Sequence, residues 1–281
     1  MSDARPADRS DLTAVITPVS GRAAHLARQR EALAADRTKG IVHVVVDISP
    51  GGGEVRPGAG PPAVVVHVAP GPRGLPLAAA RNAGAAAALE RGAGRLVFLD
   101  VDCLPGPGAI GAYARAVERE PATVWAGPVT YLPRGVLPAP QDLHHHDRPH
   151  PGRPAPDPGH VVREQDWRLF WSLSFAVHVD AWRRIGGFCE EYAGWGAEDT
   201  DLGQLARAAG LGLAWLGDAR AYHQHHEPGA RAAPGEVVRN AGVFHRRWGW
   251  WPMEDLLARM VDEGVLTRDD DGWHPVGTAP R

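Results

Sequence analysis

Three short stretches carry the side chains most able to do chemistry. The first is Leu96–Leu104, LVFLDVDCL, where an apolar run ends in Asp100 and Asp102. The run reads as a buried strand over Arg95–Leu99, stopped by Pro105, Gly106, Pro107 and Gly108. Carboxylates at the carboxyl end of such a strand sit where open α/β sheets bind ligands. Two hard oxygen donors there suit Mg²⁺ or Mn²⁺ bridged to phosphate. Surface turns also carry aspartates, so the triplet needs partners elsewhere in the chain. The second stretch is Gly194–Asp201, GWGAEDTD, which opens a helix with Glu198 and Asp199 in its first turn. A helix start keeps carboxylates ionised through its dipole, as a proton-accepting base requires, and equally suits acids that only cap the helix. The third is Ala219–His226, ARAYHQHH, whose His223, His225 and His226 are imidazole ligands or solvated loop residues.

The elements that must hold these residues follow from the apolar pattern. Leu12–Thr17, Ile41–Val46, Ala63–Val68 and Arg95–Leu99 read as strands, with helices over His25–Ala34 and Leu75–Arg91 between them. Continuous apolar runs alternating with helices predict an α/β fold, a mainly parallel central sheet covered on both faces. Gly108–Arg119 reads as a helix, Thr123–Gly127 as a strand, Val179–Ile185 as a short helix and Leu211–Leu216 as a further strand. Gly235–Trp248 and Met253–Glu263 read as two closing helices, followed after Thr267 by an acidic, irregular tail. Pro133 to about Val162 is proline-rich, holds the run His144–His146 and has no readable periodicity, the pattern of a mobile loop on the acceptor side. One domain is expected, organised as a disordered arm 1–10, a ligand-binding half 11–130, a mobile loop 131–163, a second half 164–226 and a C-terminal helical extension and tail 227–281.

Composition narrows the classes. The chain has 281 residues, 44% apolar, and a net charge of −3, which excludes non-specific nucleic-acid binding as a function. Two cysteines, Cys103 and Cys189, cannot form a disulfide framework. The charged N-terminus lacks the apolar core of a signal peptide, and no run approaches the ~20 apolar residues of a membrane span. A cytoplasmic location is the expectation. Trp248, Trp250 and Trp251 either close a hydrophobic core or dock peripherally at a membrane surface, and the core reading is favoured.

The chain resembles the nucleotide-sugar glycosyltransferases of the GT-A (Rossmann-like) fold. VITPVSGR, Asp47, ARNAG and DVD resemble family 2 enzymes, and IGGFCEEYAGWGAEDTDL resembles the β-1,4-galactosyltransferases. The resemblance covers roughly Thr13–His226, and the Trp-rich end is similar to actinobacterial members. It implies a metal-dependent transfer of a hexose, of the galactose or N-acetylhexosamine class, from a UDP-sugar to a hydroxyl. It implies donor contacts at Thr17, Pro18, Arg22, Asp47 and Arg81, with Asp47 on the base imide and Arg81 bracketing base or phosphate. Asp102 becomes the direct ligand of Mn²⁺ or Mg²⁺, Asp100 a bridge to ribose and metal-bound water, and His223 the further metal ligand, with His225 and His226 as competitors. Asp199 matches the family's base in an inverting transfer and Glu198 its neighbour that holds sugar hydroxyls. Trp195 offers a ring face to the sugar, and Gly196 allows close backbone approach. Where the family carries a second acid after Asp47, this chain has Ile48, so UDP is an expectation carried by the resemblance alone. The acceptor is a glycan, a lipid-linked sugar or a small molecule. Other readings are a retaining transferase on the same fold, a non-catalytic nucleotide-sugar-binding protein, and a nucleotidyltransferase, for which GWGAED gives no motive.

Overall fold

Apolar runs that periodicity marks as strands become one twisted eight-stranded sheet in the computed structural model, which describes residues 11–53, 55–226 and 233–277. The arm expected at 1–10 lies outside the described residues. The first half runs β1 (Thr13–Val19), α1 (Ala23–Ala35), β2 (Ile41–Asp47), β3 (Ala63–His67), α2 (Leu77–Glu90), β4 (Arg95–Leu99), β5 (Cys103–Pro105) and α3 (Ala109–Arg119). The second half runs β6 (Thr123–Ala126), β7 (Val129–Tyr131), β8 (Val161–Glu164), β9 (Ser174–His178), α4 (Val179–Ile185), α5 (Glu198–Ala208), β10 (Gly212–Leu216) and β11 (Ala221–His223). The C-terminal part is α6 (Pro234–Trp248), α7 (Glu254–Asp262) and the hairpin β12 (Leu266–Asp269) and β13 (Gly272–Pro275).

The sheet order is β3-β2-β1-β4-β9-β6-β10-β8. β1, β2, β3 and β4 are parallel, as are β6 and β10, whereas β9 runs antiparallel between β4 and β6 and β8 is an antiparallel edge. Alternate residues of each strand serve opposite faces. Ile16, Val44, Phe98 and Phe175 meet α2, α4 and α5 on one side, and Val15, Val97 and Trp125 meet α3 on the other. Gly84 lets α2 lie close on this sheet, because a Cβ there would stand 2.4 Å from Ile16 Cγ2. That approach brings Arg81, one turn earlier on α2, down to the carboxyl ends of the strands.

A second, three-stranded sheet, β5-β11-β7, was not legible in the sequence because its strands are only three residues long. It matters more to the site than its size suggests. β11 pairs antiparallel with β5, and the register sets His223 opposite Cys103, next to Asp102.

Two expectations are corrected. The Pro/His-rich stretch is not without regular structure. It holds a 3₁₀ helix over Pro140–His146 with Leu143 fully buried, and then runs along the end of β10. There Gly217 N–H donates to His160 O at 3.0 Å and Arg220 Nη2 to Pro156 O at 3.0 Å. A Pro-rich chain lacks many of the N–H groups a sheet needs, yet its carbonyls remain acceptors, and neighbouring N–H groups take them up. The tail after Thr267 is likewise a hairpin, closed on α6 and α7 by Leu266 and Trp273. No helix among the described residues is long and apolar enough to cross a membrane. The tryptophans pack inward. Trp248 Nε1 donates to the buried Asp201 at 2.7 Å, Trp250 sits edge-on to Phe244, and Trp251 stacks on His245.

Candidate active site

The Asp100–Asp102 turn is clamped from three directions. Gln29 on α1 donates from Nε2 to the carbonyls of Asp100 (2.8 Å) and Cys103 (2.9 Å). Asp100 N–H reaches Leu173 O at the start of β9 (3.0 Å), and Gln224 N–H donates to Asp102 O (2.6 Å). Each bond satisfies a backbone group that a tight turn off a buried strand would otherwise leave unpaired. The result is a rigid turn with Asp102 6% exposed.

This packing brings two of the three histidines to Asp102. Asp102, His223 and His226 present one ligand atom each, all within 4.8 Å of one another. His223 Nε2 lies 3.4 Å from Asp102 Oδ1 and His226 Nε2 lies 3.6 Å from Asp102 Oδ2. His225 points away with an exposed side chain, and its carbonyl faces His25 Nε2. Asp102 Oδ1 is buried and accepts no hydrogen bond. Burial lowers the pKa of His223, so its ring is neutral at neutral pH and keeps a lone pair for a cation. One carboxylate and two imidazoles therefore fit a divalent ion. Arg22, assigned to the donor, ion-pairs with Asp102 Oδ2.

Arg81 links this turn to the second acid pair. It is 3% exposed. Its Nη2 donates to Asp100 Oδ1 at 2.9 Å and its Nη1 to Glu198 Oε1 at 3.3 Å. Burial opposes its charge, but the two carboxylates hold it firmly protonated. Both terminal nitrogens are thus engaged by acids, and Arg81 bridges the two acid pairs of the site. Its neighbour Asn82, given no role by the sequence, pins Phe188 through both backbone groups (2.9 and 2.8 Å).

The Gly194–Ala197 turn delivers Glu198 and Asp199 to the start of α5. Gly194 and Gly196 have positive φ, and so does Ala197 at +69°, a conformation costly for a residue with a Cβ. Asn240 of α6 supports the turn, donating to the carbonyls of Ala193 and Trp195 at 3.1 Å each. A Cβ at Gly196 would stand 3.2 Å from Met253 Cε, so the glycine lets Met253 pack closely against this turn. Trp195 is 49% exposed. Asp201 is fully buried under Tyr192, Arg247 and Trp248, which tie α6 to α5.

Asp199 is half-buried, and its Oδ1 accepts the Thr200 N–H at 2.7 Å. Burial, then the adjacent Glu198 carboxylate, raise its pKa to about 7, against the opposing pull of Thr200 N–H and Arg81. The helix start was expected to keep it ionised. Desolvation and like charge outweigh that field and leave a group poised to take a proton near neutrality. Asp100 is raised to about 6, by burial first, with Arg81 opposing and Asp102 adding to it.

The remaining donor assignments fare differently. Thr17 is fully buried. Its hydroxyl donates to Gln29 Oε1 at 3.1 Å and meets His43 Nε2 at 3.0 Å, so it serves the interior, a correction. Pro18 is buried within β1. Asp47 is buried at the end of β2, where its Oδ1 accepts Ser49 N–H at 2.9 Å. Burial pushes its pKa up, but the N–H groups of Ser49 and Val55 hold it below the ordinary value.

Residues 160–227, which include the Gly194–Asp201 turn and the histidines, match the family described as the N-terminal domain of galactosyltransferase. Validoxylamine A glucosyltransferase of Streptomyces hygroscopicus subsp. jinggangensis (strain 5008) is 30% identical over 81 residues, 29% of this chain and 19% of that protein. The same enzyme from subsp. limoneus is 30% identical over 81 residues and 18% of its length. The match thus spans about a fifth of these relatives. Among solved structures, GalNAc-T7 with UDP, GalNAc and Mn²⁺ superposes with a TM-score of 0.55 at 14% identity, over 84% of this chain and 48% of that one. TarS residues 1–349 of S. aureus superposes with a TM-score of 0.56 at 15% identity, over 76% and 60%. The fold is that of the GT-A glycosyltransferases.

Proposed function

We infer that this chain is a glycosyltransferase that moves a hexose or N-acetylhexosamine from a UDP-sugar to an acceptor hydroxyl with inversion, supported by a divalent cation. The observation that carries the reading is the pairing of Asp102, His223 and His226 at one end of the buried Arg81 bridge with Asp199, raised to about 7, at the other. A cation bound by Asp102, His223 and His226 would supply Lewis-acid stabilisation of the departing diphosphate. Arg22, half-buried beside Asp102, can turn its guanidinium to a phosphate once that carboxylate is engaged elsewhere. Asp199 takes the acceptor proton as the acceptor oxygen forms the new glycosidic bond and the nucleoside diphosphate leaves with the electrons of the old one. Glu198 and Asp100, fixed by Arg81, orient sugar and ribose hydroxyls. Trp195 stacks on a sugar face.

The neighbour crystallised with UDP, GalNAc and Mn²⁺ and the glucosyltransferase relatives are consistent with this reading. The decisive experiment is a donor screen that follows release of UDP, GDP and TDP with Mn²⁺, with Mg²⁺ and with chelator, together with NMR of the product anomer. UDP release dependent on Mn²⁺, with inversion, is expected. A retained anomeric configuration would remove Asp199 as base. Binding of UDP without turnover of any UDP-sugar would make the chain a binding protein.

A further inference from the structure

Between α1 and the first two strands lies a row of buried polar side chains that the proposed chemistry does not use. Thr17 on β1, Gln29 and Arg30 on α1, and His43 on β2 are each at most 2% exposed. Arg30 Nη1 lies 3.0 Å from His43 Nδ1, and His43 Nε2 lies 3.0 Å from Thr17 Oγ1. Thr17 Oγ1 in turn lies 3.1 Å from Gln29 Oε1. At the end of the row Gln29 Nε2 donates to the carbonyls of Asp100 and Cys103, the two that flank Val101 and Asp102. Polar groups in a packed interior cost solvation that apolar side chains would not, so such a row calls for a reason.

The bonds of this row can run in one direction only. A guanidinium donates and never accepts. The other Arg30 nitrogens serve carbonyls, Nε that of Ala59 at 3.1 Å and Nη2 those of Pro61 at 2.8 Å and Gly58 at 3.3 Å. His43 Nδ1 must therefore accept, which places the ring proton on Nε2. That proton goes to Thr17 Oγ1, so the threonine hydrogen must go to Gln29 Oε1. An oxygen that accepts there turns the amide nitrogen the other way, toward the turn. The far end demands the same polarity, because the Asp100 and Cys103 carbonyls can only accept. Burial and the nearby Arg30 charge lower the His43 pKa to about 3, so the ring stays neutral and keeps its accepting nitrogen. Reversing either His43 or Thr17 would set two donors or two acceptors face to face in a low-dielectric interior.

We propose that His43 and Thr17 are positioning residues for the Asp100–Asp102 turn, holding the Gln29 amide in the one orientation that clamps it and so fixing Asp102 against His223 and His226. The purpose of the clamp rests on the transferase reading, and its existence rests on the hydrogen-bond geometry. Two variants separate the hydroxyl from the packing. Thr17→Val keeps the shape of the side chain and loses the hydroxyl, whereas Thr17→Ser keeps the hydroxyl and loses the methyl. A purely structural role ranks them by packing, and the chain of bonds ranks them by the hydroxyl. Thr17→Val should weaken Mn²⁺ binding in calorimetry by about tenfold. It should also speed hydrogen exchange of the Asp100–Cys103 backbone amides by about tenfold. Thr17→Ser should stay within about threefold of wild type on both measures. Two variants that behave alike on either measure, or a larger loss in Thr17→Ser, overturn the proposal. Where a variant fails to fold, ¹⁵N NMR of the wild type at neutral pH decides. A neutral His43 with its proton on Nε2 is expected, and a proton on Nδ1 or a charged ring overturns the proposal. Absence of Mn²⁺ binding in the wild type counts instead against the transferase reading, and exchange at the turn alone then judges the clamp.

Discussion

The two acid pairs of the site are alike in sequence and unlike in how they are held. At the end of β4, Asp100 is engaged by Arg81 and Asp102 by Arg22, with two imidazoles beside it. At the start of α5, Arg81 engages Glu198, but Asp199 is held only by the N–H and hydroxyl of the next residue. Cationic and imidazole partners suit the first pair to remain a ligand set. Desolvation beside Glu198, with no cation bonded to it, lifts Asp199 to about 7 and suits it to exchange a proton. The same residue type thus meets two environments, and on the proposed function the neighbours decide which role each takes.

The strongest test of that division is Asp199→Asn, which should leave UDP binding in calorimetry unchanged and cut transfer by roughly 10²–10⁴-fold. Wild-type turnover in this variant would erase the contrast between the pairs. Arg81→Met removes the charge they share and strands Asp100 and Glu198 in the interior. Chemical denaturation should register a loss of about 3–5 kcal/mol, and a loss under 1 kcal/mol would mean that the bridge is dispensable.

The metal side can be sharpened by a pair of variants. His226→Ala should weaken Mn²⁺-supported UDP binding by about 10–100-fold, comparable to losing a supporting metal-site contact, while His225→Ala should not alter it. The reverse result would reassign the ligand. The proton side is read by pH. Rates should fall about tenfold per unit below pH 7 and level off above it, as expected for a base that must be ionised. The same shift links to stability. Asp199 titrates near 7 in the folded chain against an ordinary 3.8, so its neutral form favours the fold fully below about 4, and that contribution is lost as the pH rises through 7. The melting advantage of Asp199→Asn over wild type should therefore grow from pH 5 to pH 8. A constant difference would show that the raised pKa is not realised. Smallest of all, Asn240→Ala removes two bonds to the Gly194–Ala197 turn and should cost about 1–2 kcal/mol. Transfer should drop with it, because the turn positions Asp199.

Much of the frame is legible in the order of residues. The strand Arg95–Leu99 and the helix Val179–Ile185 occur with the bounds that periodicity assigns, because their apolar runs end sharply at aspartate, glycine or proline. Local pattern fails where partners are distant. Nothing near Thr17 signals that Gln29 and His43 consume its hydroxyl, and nothing near Gly196 signals Met253 above it. Asn82 and Gln29 could have been suspected, since an amide on a buried helix face requires partners, though not which ones.

What the sequence by itself determined was the α/β frame and the residue types of the site: two carboxylates at a strand end, an acid pair at a helix start and a histidine cluster. These depend on local propensity and apolar period, which short windows contain. The tertiary structure alone decided which histidines meet Asp102, through the β5–β11 register. It alone decided that Arg81 bridges Asp100 and Glu198. Such roles depend on distance, desolvation and neighbouring charge. Those quantities exist only once segments distant in sequence are packed together.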